Sequence, residues 1–465
     1  MHAKFNDTIA AISTPRGRGA IAIIRISGNH AHSIALSFLK GSFKTNSLKP
    51  KTSYFAKFYD HDQLLDEVLF TLYSAPHSYT GEDTVEIFCH GNDFIASQIL
   101  EALLKKSRLA QPGEFTLRAF LNHKMDLTKA EAVGNLLMAQ TKKAQQASLA
   151  QLEGKLEEKI NNILNKILNL RIQCELAIDF IEDEVPIIED SELHEKLNII
   201  HNDLDLLERS AHDGMIIHEG LKVCLIGEPN VGKSSLFNKI LDMDRAIVSD
   251  IPGTTRDYIE EAISLQGNLI RFFDTAGIRQ SEDIIEKMGI ERSNQIIEQA
   301  DLIFLLLDAQ IINVNPTINH FNEYLISLKS KLIMNDKTLK IIPIINKADL
   351  LNTEAKQLFT DNKILLCSNI EADGLDPLRT YLLEFFAGFT QEIESGLISN
   401  ARQLAAVSKA KESIIQATNT LKMGTGIEFI AFDLASASNH LEEIIGKITT
   451  DDILDKIFEN FCIGK

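Results

Sequence analysis

The chain has 465 residues, long enough for several domains that each bury a core. Its 47 Lys and Arg face 65 Asp and Glu, a net charge of −18 that excludes a protein coated in positive charge, so any nucleic acid must be met by a local basic patch or through a second protein. With 45% hydrophobic and 24% charged residues the composition excludes a disordered chain, and no apolar run reaches the length of a membrane span.

The first residues, through Asp7, hold no apolar signal core and no Arg- and Ser-rich bias, so no targeting segment is expected. Ala20–Ile26 and Thr84–Cys89 are short β-rich runs between Gly and Pro turns, which predicts a mixed α+β domain up to about residue 118. No proline falls between Pro112 and Pro186, and long helices are permitted there. Leu149, Leu152, Leu156, Ile160, Ile163, Ile167 and Leu170 recur at spacings of 3 and 4, a sustained helical stripe that packs as core. Between about 220 and 380, Leu221–Ile226, Leu269–Phe273, Leu302–Leu307 and Ile341–Ile345 are near-continuous apolar runs, the pattern of buried parallel strands. Helical sequence between them predicts a doubly wound α/β domain. After Arg379 the chain reads as helical again, through Leu397, Leu404, Ile414, Ile415, Leu434, Leu441, Ile444 and Ile445, with a break at Gly424-Thr425-Gly426. Helical sequence on both flanks implies an α/β domain inserted into an all-α domain. Five dispersed cysteines, Cys89, Cys174, Cys224, Cys367 and Cys462, fit a reducing cytoplasm rather than a disulfide or zinc scaffold.

Gly227-Glu228-Pro229-Asn230-Val231-Gly232-Lys233-Ser234 fits GxxxxGK[ST], and Ser235 continues it into a helix-competent run. Glycines let backbone N–H groups curl around a polyphosphate. Lys233 brings a point charge to the β and γ phosphates, and the Ser234 hydroxyl is a hard ligand for Mg²⁺. Asp274-Thr275-Ala276-Gly277 follows the second apolar run, where a carboxylate supports Mg²⁺ and a glycine amide meets the γ phosphate. Asn346-Lys347-Ala348-Asp349 ends the fourth run; an aspartate there accepts two N–H donors on one edge of guanine that adenine lacks, so GTP is preferred to ATP. Gly253-Thr254-Thr255-Arg256-Asp257 lies between, where a closing loop lets Thr255 complete the Mg²⁺ shell. These residues predict a GTPase. Ile278 follows Gly277 in place of the glutamine that orients water in Ras-type sites, which leaves Glu282, Asp283 and Glu286 as candidates for that task. No arginine finger is evident beyond Arg256 and Arg279, which sequence alone does not place.

Other motifs lie outside this region: Asp7-Thr8-Ile9-Ala10, Pro15-Arg16-Gly17-Arg18-Gly19, Tyr79-Thr80-Gly81-Glu82-Asp83, Pro112-Gly113-Glu114-Phe115, Ala119-Phe120-Leu121-Asn122 and the tail Phe461-Cys462-Ile463-Gly464-Lys465. With the GTPase motifs they resemble the MnmE (TrmE) family of tRNA uridine-modification GTPases, over essentially the whole chain. The resemblance implies an N-terminal folate-binding and dimerisation domain over 1–119, a helical domain over 120–218 and 385–465, and a P-loop GTPase domain over 219–384. It implies a homodimer and a flavoprotein partner, MnmG, joined in a heterotetramer. Together they would install an aminomethyl or carboxymethylaminomethyl group at C5 of the wobble uridine of certain tRNAs. A tetrahydrofolate derivative, of the 5-formyl or 5,10-methylene type, would supply one carbon, and FAD on the partner the redox step.

Carried over by residue, Asn230 matches the family's K⁺ ligand, with Ser249, Ile251 and Thr254 of the loop Ser249-Asp250-Ile251-Pro252-Gly253-Thr254 matching the rest of the cage. A K⁺ beside the phosphates would neutralise developing charge as an arginine finger does elsewhere. Glu286 matches the water-positioning glutamate, and the catalytic set is Glu286, Lys233 and Asp257. Arg25, Glu82, Lys124 and Lys465 match folate-site positions; a carboxylate suits the amino-pyrimidine edge of a pterin and cations suit a glutamate tail. The tail implies a role for the Cys462 thiol in the modification. Two departures stand out: Pro252, where relatives carry a small residue, and Cys367-Ser368-Asn369-Ile370, in place of a Ser-Ala-Lys/Arg pattern.

Two other readings compete. A ribosome-assembly GTPase, timed by GTP, needs a basic RNA-binding appendage that the net charge of −18 disfavours. A self-assembling mechanical GTPase suits the long helices but not a folate-type N-terminal domain. Folate binding by residues 1–120 separates the first reading from both.

Overall fold

The alternation of buried and exposed residues near the amino terminus builds a seven-stranded sheet with one covered face. The computed structural model describes residues 7–179, 189–243, 260–274, 300–330, 340–389, 396–459 and 461–465. Strands β1 (Ile9–Ile12), β2 (Ile21–Ser27), β3 (Leu39–Lys40), β4 (Ser53–Asp60), β5 (Gln63–Tyr73), β6 (Thr84–His90) and β7 (Arg108–Leu109) lie in the order β3-β4-β5-β6-β2-β1-β7. Neighbours run antiparallel, except β1 with β7. Helices α1 (Ala31–Leu36), α2 (Asp93–Leu104) and α3 (Glu114–Leu121) complete the domain. Ala22, Ile24 and Ile26 of β2 join Ile99 and Leu103 of α2 in the core, as a period of two against a helical stripe requires. On the other face Phe55, Leu69, Phe88 and Ile23 stand opposite one another on four adjacent strands.

Four helices follow: α4 (Leu127–Met138), α5 (Lys142–Leu152), α6 (Lys155–Asp179) and α7 (Asp190–Glu219). The expected continuous stripe is broken between the second and third of them. Gly154 takes a left-handed φ of 91° and ends α5, so Leu149 and Leu152 belong to a different helix, and Leu149 is 41% exposed. Leu156, Ile160, Ile163, Ile167 and Leu170 remain one buried face of α6.

The middle of the chain forms β8 (Leu221–Gly227), α8 (Lys233–Met243), β9 (Glu260–Leu265), β10 (Asn268–Asp274), β11 (Leu302–Asp308), α9 (Ala309–Ile312), α10 (Ile318–Lys329), β12 (Lys340–Asn346), α11 (Thr353–Asp361), β13 (Leu365–Leu366) and α12 (Asp376–Ala387). The sheet order is β13-β12-β11-β8-β10-β9, parallel throughout but for β9. The four expected strands are present. Two edge strands were not expected: short β13, and β9, which a two-residue turn at Gln266 (φ 48°) and Gly267 (φ 79°) folds back on β10.

Helices α13 (Ala401–Met423), α14 (Ile427–Ile445) and α15 (Asp451–Phe458) close the chain, with the break between α13 and α14 at Gly424 and Gly426, both at positive φ. Leu397 lies before α13 rather than in it. The chain divides into two compact units, one of Met1–Leu137, Gln151–His201 and Ala406–Lys465, the other of Met138–Ala150 and Asn202–Ala405. In the first, α14 packs along α6. In chain order an α/β domain of P-loop type thus falls between helical segments and follows an α+β domain. No described helix is long and apolar enough to cross a membrane. All five cysteines are free thiols, and only Cys462 is exposed.

Candidate functional site

The parallel strands bring the described part of the predicted nucleotide site to their carboxyl ends. β8 is central, flanked by β10 and β11, so the loop at its carboxyl end sits where the strand tips converge. Asn230 (φ 65°) and Gly232 (φ 96°) turn that loop back into α8, and Val231 is buried beneath it. Gly232 has no room for a side chain: a Cβ there would lie 2.5 Å from Asn346 Nδ2. Lys233 Nζ donates to the Gly227 and Glu228 carbonyl oxygens, both at 2.9 Å, so its charge lies inside the loop. Ser234 and Ser235 are exposed on the first turn of α8.

From β12, Asn346 Nδ2 donates to Val231 O at 2.8 Å, while its Oδ1 is buried without a partner among the described residues, an acceptor left for a ligand. Lys347, at a left-handed φ of 59°, donates to Asn230 O at 2.9 Å and to Asp308 Oδ2 at 2.7 Å. Ala348 N–H donates to Cys367 O at 2.9 Å, which sets Asp349 under the loop after β13. There Ser368 Oγ donates to Asp349 Oδ1 at 2.6 Å and accepts from the N–H groups of Ile370 (3.2 Å) and Glu371 (3.3 Å). A hydroxyl donor on one side of the Asp349 carboxylate fixes its rotamer and leaves acceptor capacity for the guanine edge. Asn230, Val231, Gly232, Lys233, Asn346, Lys347, Ala348 and Asp349 are therefore assembled around one site. The departure from the common loop sequence still provides the hydroxyl that the aspartate needs.

β10 ends at Asp274, level with Leu225 of β8. The other expected residues of this site, Ser249, Asp250, Ile251, Pro252, Gly253, Thr254, Thr255, Asp257, Thr275, Ala276, Gly277 and Glu286, lie outside the described residues. Several contributors were not foreseen. Asp308, which pairs with Lys347, ends β11 in register with Asn346, and the carboxylate closing an apolar run was a visible signal. Tyr324 OH donates to Glu228 Oε2 at 2.9 Å, and burial, then the Glu228 carboxylate, pushes this phenol well above its ordinary value. Lys239 of α8 donates to the Ser368, Asn369 and Glu371 carbonyls at 3.4, 2.6 and 3.0 Å. Nothing in the local sequence marks it.

A second polar site is organised by α3 in the first unit. Arg25 of β2 pairs with Glu86 of β6, Nη2 to Oε1 at 2.8 Å, and its guanidinium lies 5.3 Å from the Tyr79 ring and 5.6 Å from the Phe115 ring. Glu82 accepts from Ser27 Oγ at 2.9 Å and from Arg118 Nη1 at 3.2 and 3.3 Å. Arg118, unforeseen, is fully buried, and its Nη2 also reaches Asp7 Oδ1 (2.7 Å) and Glu114 Oε1 (2.9 Å). Burial raises the Glu114 carboxyl, but hydrogen bonds from Arg108, the Gln111 N–H and Arg118 outweigh it and hold the group below its ordinary value. The Lys124 side chain lies against Gly81, where an added Cβ would sit 3.3 Å from its Cγ. The tail crosses the start of the same helix. Gly113 N–H donates to Cys462 O at 3.4 Å, Phe115 N–H to Lys465 O at 3.2 Å, and Ile463 bridges to Pro112. Arg25 thus meets α3 at Phe115, Glu82 at Arg118, Lys465 through its carbonyl at the Phe115 N–H, and Lys124 through its N–H at the Ala119 carbonyl oxygen, 2.9 Å away.

A phosphate-cradling loop with a lysine inside it and a hydroxyl-braced aspartate at the base position defines a P-loop GTPase, here joined to an α+β domain with its own polar site. The TrmE N-terminus profile, described as GTP-binding protein TrmE, matches residues 8–124, and the MnmE helical-domain profile matches 127–462. A tRNA modification GTPase MnmE of Bacillus pumilus is 40% identical over 472 residues, covering 99% of this chain and all of that one. Those of Syntrophus aciditrophicus and Aquifex aeolicus are 40% and 39% identical, each over 99% of this chain and 99% and 100% of theirs. The solved G domain of the T. maritima FeoB iron transporter matches 36% of this chain and 98% of its own at 26% identity, with a TM-score of 0.23. The chain belongs to the MnmE family of tRNA modification GTPases.

Proposed function

We propose that this chain hydrolyses GTP with Mg²⁺ and under K⁺ stimulation, and uses the nucleotide cycle to drive modification of C5 of the wobble uridine in certain tRNAs. Its partner in that work is an MnmG-type flavoprotein, in a heterotetramer, with FAD on the partner for the redox step. The observation that carries the reading is the gathering of Arg25, Glu82, Lys124 and Lys465 around α3 in the chain that also holds the guanine-reading loop.

Those residues fit a reduced folate of the 5-formyl or 5,10-methylene type, which supplies a one-carbon unit when bound. Glu82, only 13% exposed and braced by Arg118, presents a carboxylate to N–H donors of a pterin. Tyr79, partly exposed beside Arg25, offers a flat apolar wall, and Lys124 and Lys465 place cations for a glutamate tail. The exposed thiol of Cys462 belongs to the residue next to Ile463, which bridges to Pro112 just before α3, within this site's border, and serves the modification step.

In the GTPase domain, Lys233 moves from the loop carbonyls to phosphate oxygens, and Ser234 with Thr255 would hold the divalent ion. Asn230, Ser249, Ile251 and Thr254 would supply oxygens to the monovalent ion, Glu286 positions water, and Asp257 completes the catalytic set with Lys233. The chain acts as a homodimer through the open face of the N-terminal sheet: the row Phe55, Leu69, Phe88 and Ile23 is apolar, and Phe55 and Leu69 are 57% and 47% exposed. The working compartment is the cytoplasm, whose reducing poise keeps the free thiols free.

Calorimetry with 5-formyltetrahydrofolate tests the reading. Binding by the wild-type chain and its loss in Glu82→Gln are expected, together with unmodified wobble uridines in tRNA from cells lacking the chain. A chain indifferent to reduced folates, or tRNA of unchanged nucleoside content, refutes it.

A further inference from the structure

Five residues before β2, the chain makes a tight turn beside a cleft of about 280 Å³ where β1 and β6 end and β2 begins. Arg16, Gly17, Arg18, Ile21, Gly91 and Asp93 line it, with others. The turn is fixed at both ends. Gly17 N–H donates to Asp93 Oδ1 at 2.8 Å, and Gly19 N–H donates to Gly91 O at 2.9 Å. Gly91 admits no other residue, since a Cβ there would lie 2.4 Å from the Gly19 carbonyl oxygen. Asp93 is itself held on the first turn of α2, where the Asn92 side chain accepts from Phe94 N–H at 2.9 Å. Backbone order therefore extends to the two arginines.

Arg16 and Arg18 are exposed, and neither makes a hydrogen bond or ion pair with a described residue. The other arginines of this domain are committed: Arg25 to Glu86, and Arg108 and Arg118 to Asp7 and Glu114. In a chain with a net charge of −18, two uncommitted guanidinium groups on a rigid turn are a strong local exception. Asp93 also lines the cleft and keeps its charge while its Oδ1 accepts from the Gly17 N–H, but it makes no ion pair with either arginine, so two guanidinium groups against one carboxylate leave the cleft with a net positive charge. The floor is apolar, with Ile21 60% exposed.

We propose that this cleft takes the sugar–phosphate backbone of an RNA, and that Arg16 and Arg18 grip its phosphates. A guanidinium matches two phosphate oxygens at once, and two forks at i and i+2 on a fixed turn reach successive phosphates of one strand. The apolar floor receives a ribose or a base face. Contacts of this kind position an RNA without reading its sequence, which suits an enzyme acting on several tRNAs. The proposal rests on the tRNA-modifying reading above and names the surface by which the N-terminal domain meets its substrate.

The test is filter binding of unmodified tRNA by the full chain together with its flavoprotein partner, across a KCl series, for wild type, Arg16→Gln/Arg18→Gln and Arg16→Lys/Arg18→Lys. In the glutamine variant the log–log salt slope is expected to become shallower by about 1.5 and affinity to fall at least about tenfold at low salt, as two phosphate contacts are lost. GTP turnover and folate binding stay at the wild-type level, which also reports that the variant folds. The lysine variant keeps most of the slope. A glutamine variant that holds tRNA as tightly as wild type, with an unchanged slope, overturns the cleft assignment and leaves the tRNA reading standing. A wild-type complex that holds no tRNA overturns both. If the glutamine variant instead loses only binding to anionic lipid vesicles, the cleft serves a membrane surface and the RNA assignment is wrong.

Discussion

The Lys239 ammonium donates to the Asn369 carbonyl oxygen at 2.6 Å, with the Ser368 and Glu371 carbonyls at 3.4 and 3.0 Å, and so ties helix α8 to the loop that braces Asp349. The helix that begins in the phosphate loop thereby also holds the guanine end of the site. Lys239→Met keeps the stem and removes the donor. Hydrogen bonds from a charged group are worth about 1.5–3 kcal/mol. GDP affinity is expected to drop about tenfold, mainly through faster dissociation, with turnover at saturating GTP near wild type. Stopped-flow release of a fluorescent GDP would read this, and an unchanged off-rate would show that the loop stands without the clamp.

The reading proposed above gives Asp349 the base discrimination, as an acceptor for two donors on the guanine edge. Asp349→Asn replaces one acceptor oxygen by an N–H₂ donor, so GTP affinity should fall by roughly a hundredfold or more. Xanthosine triphosphate, which offers an acceptor at that edge, should bind better than GTP. Competition between the two nucleotides decides it; a variant that still prefers GTP would move the discrimination elsewhere.

The proposed cation cage makes GTP turnover depend on the alkali ion. Turnover should rise in K⁺ and not in Na⁺, and Asn230→Ala should lose that difference. Glu286→Ala is expected to cut turnover by about a hundredfold while nucleotide affinity holds, because only the water is affected. Equal rates in the two salts, or normal hydrolysis in Glu286→Ala, would each remove one part of the scheme.

Glu114 stabilises the N-terminal domain as an anion between Arg108 and Arg118. Its folded-state value lies below the ordinary 4.5, so its contribution is fully present above about pH 4.5 and is lost as the pH falls through that lower folded value. Glu114→Gln leaves the buried Arg118 short of a partner and should cost about 3 kcal/mol at neutral pH. The variant should also lose less stability than wild type from about pH 5 downward. Chemical denaturation of the full chain, followed at several pH values, would show parallel curves if the carboxylate played no such part.

Legibility in the sequence tracked how local the controlling physics was. The four central strands could be read because burial on both faces forces an unbroken apolar run, and the phosphate loop because glycine and lysine sit at fixed spacing. The break at Gly154 was hidden, because Leu149 and Leu152 kept helical phase with Leu156 across a turn. The edge strand β9 had a signal in Gln266-Gly267, but its own residues lacked the apolar run of a central strand. Arg118 and Lys239 were beyond reach. Each acts on a group far along the chain, 111 residues for Arg118 with Asp7 and 130 for Lys239 with Asn369, and only the folded topology supplies those neighbours.

Gly464, at a φ of 98°, is packed so closely on the first strand that a Cβ would sit 2.3 Å from the Ile12 carbonyl oxygen. A growing polypeptide displays its first domain early, yet that domain's pocket stays unfinished while the helices and the nucleotide module are still being translated. Synthesis must reach Gly464 before the site around α3 has all its walls, so premature termination anywhere upstream would leave an abortive product whose proposed folate site is incomplete.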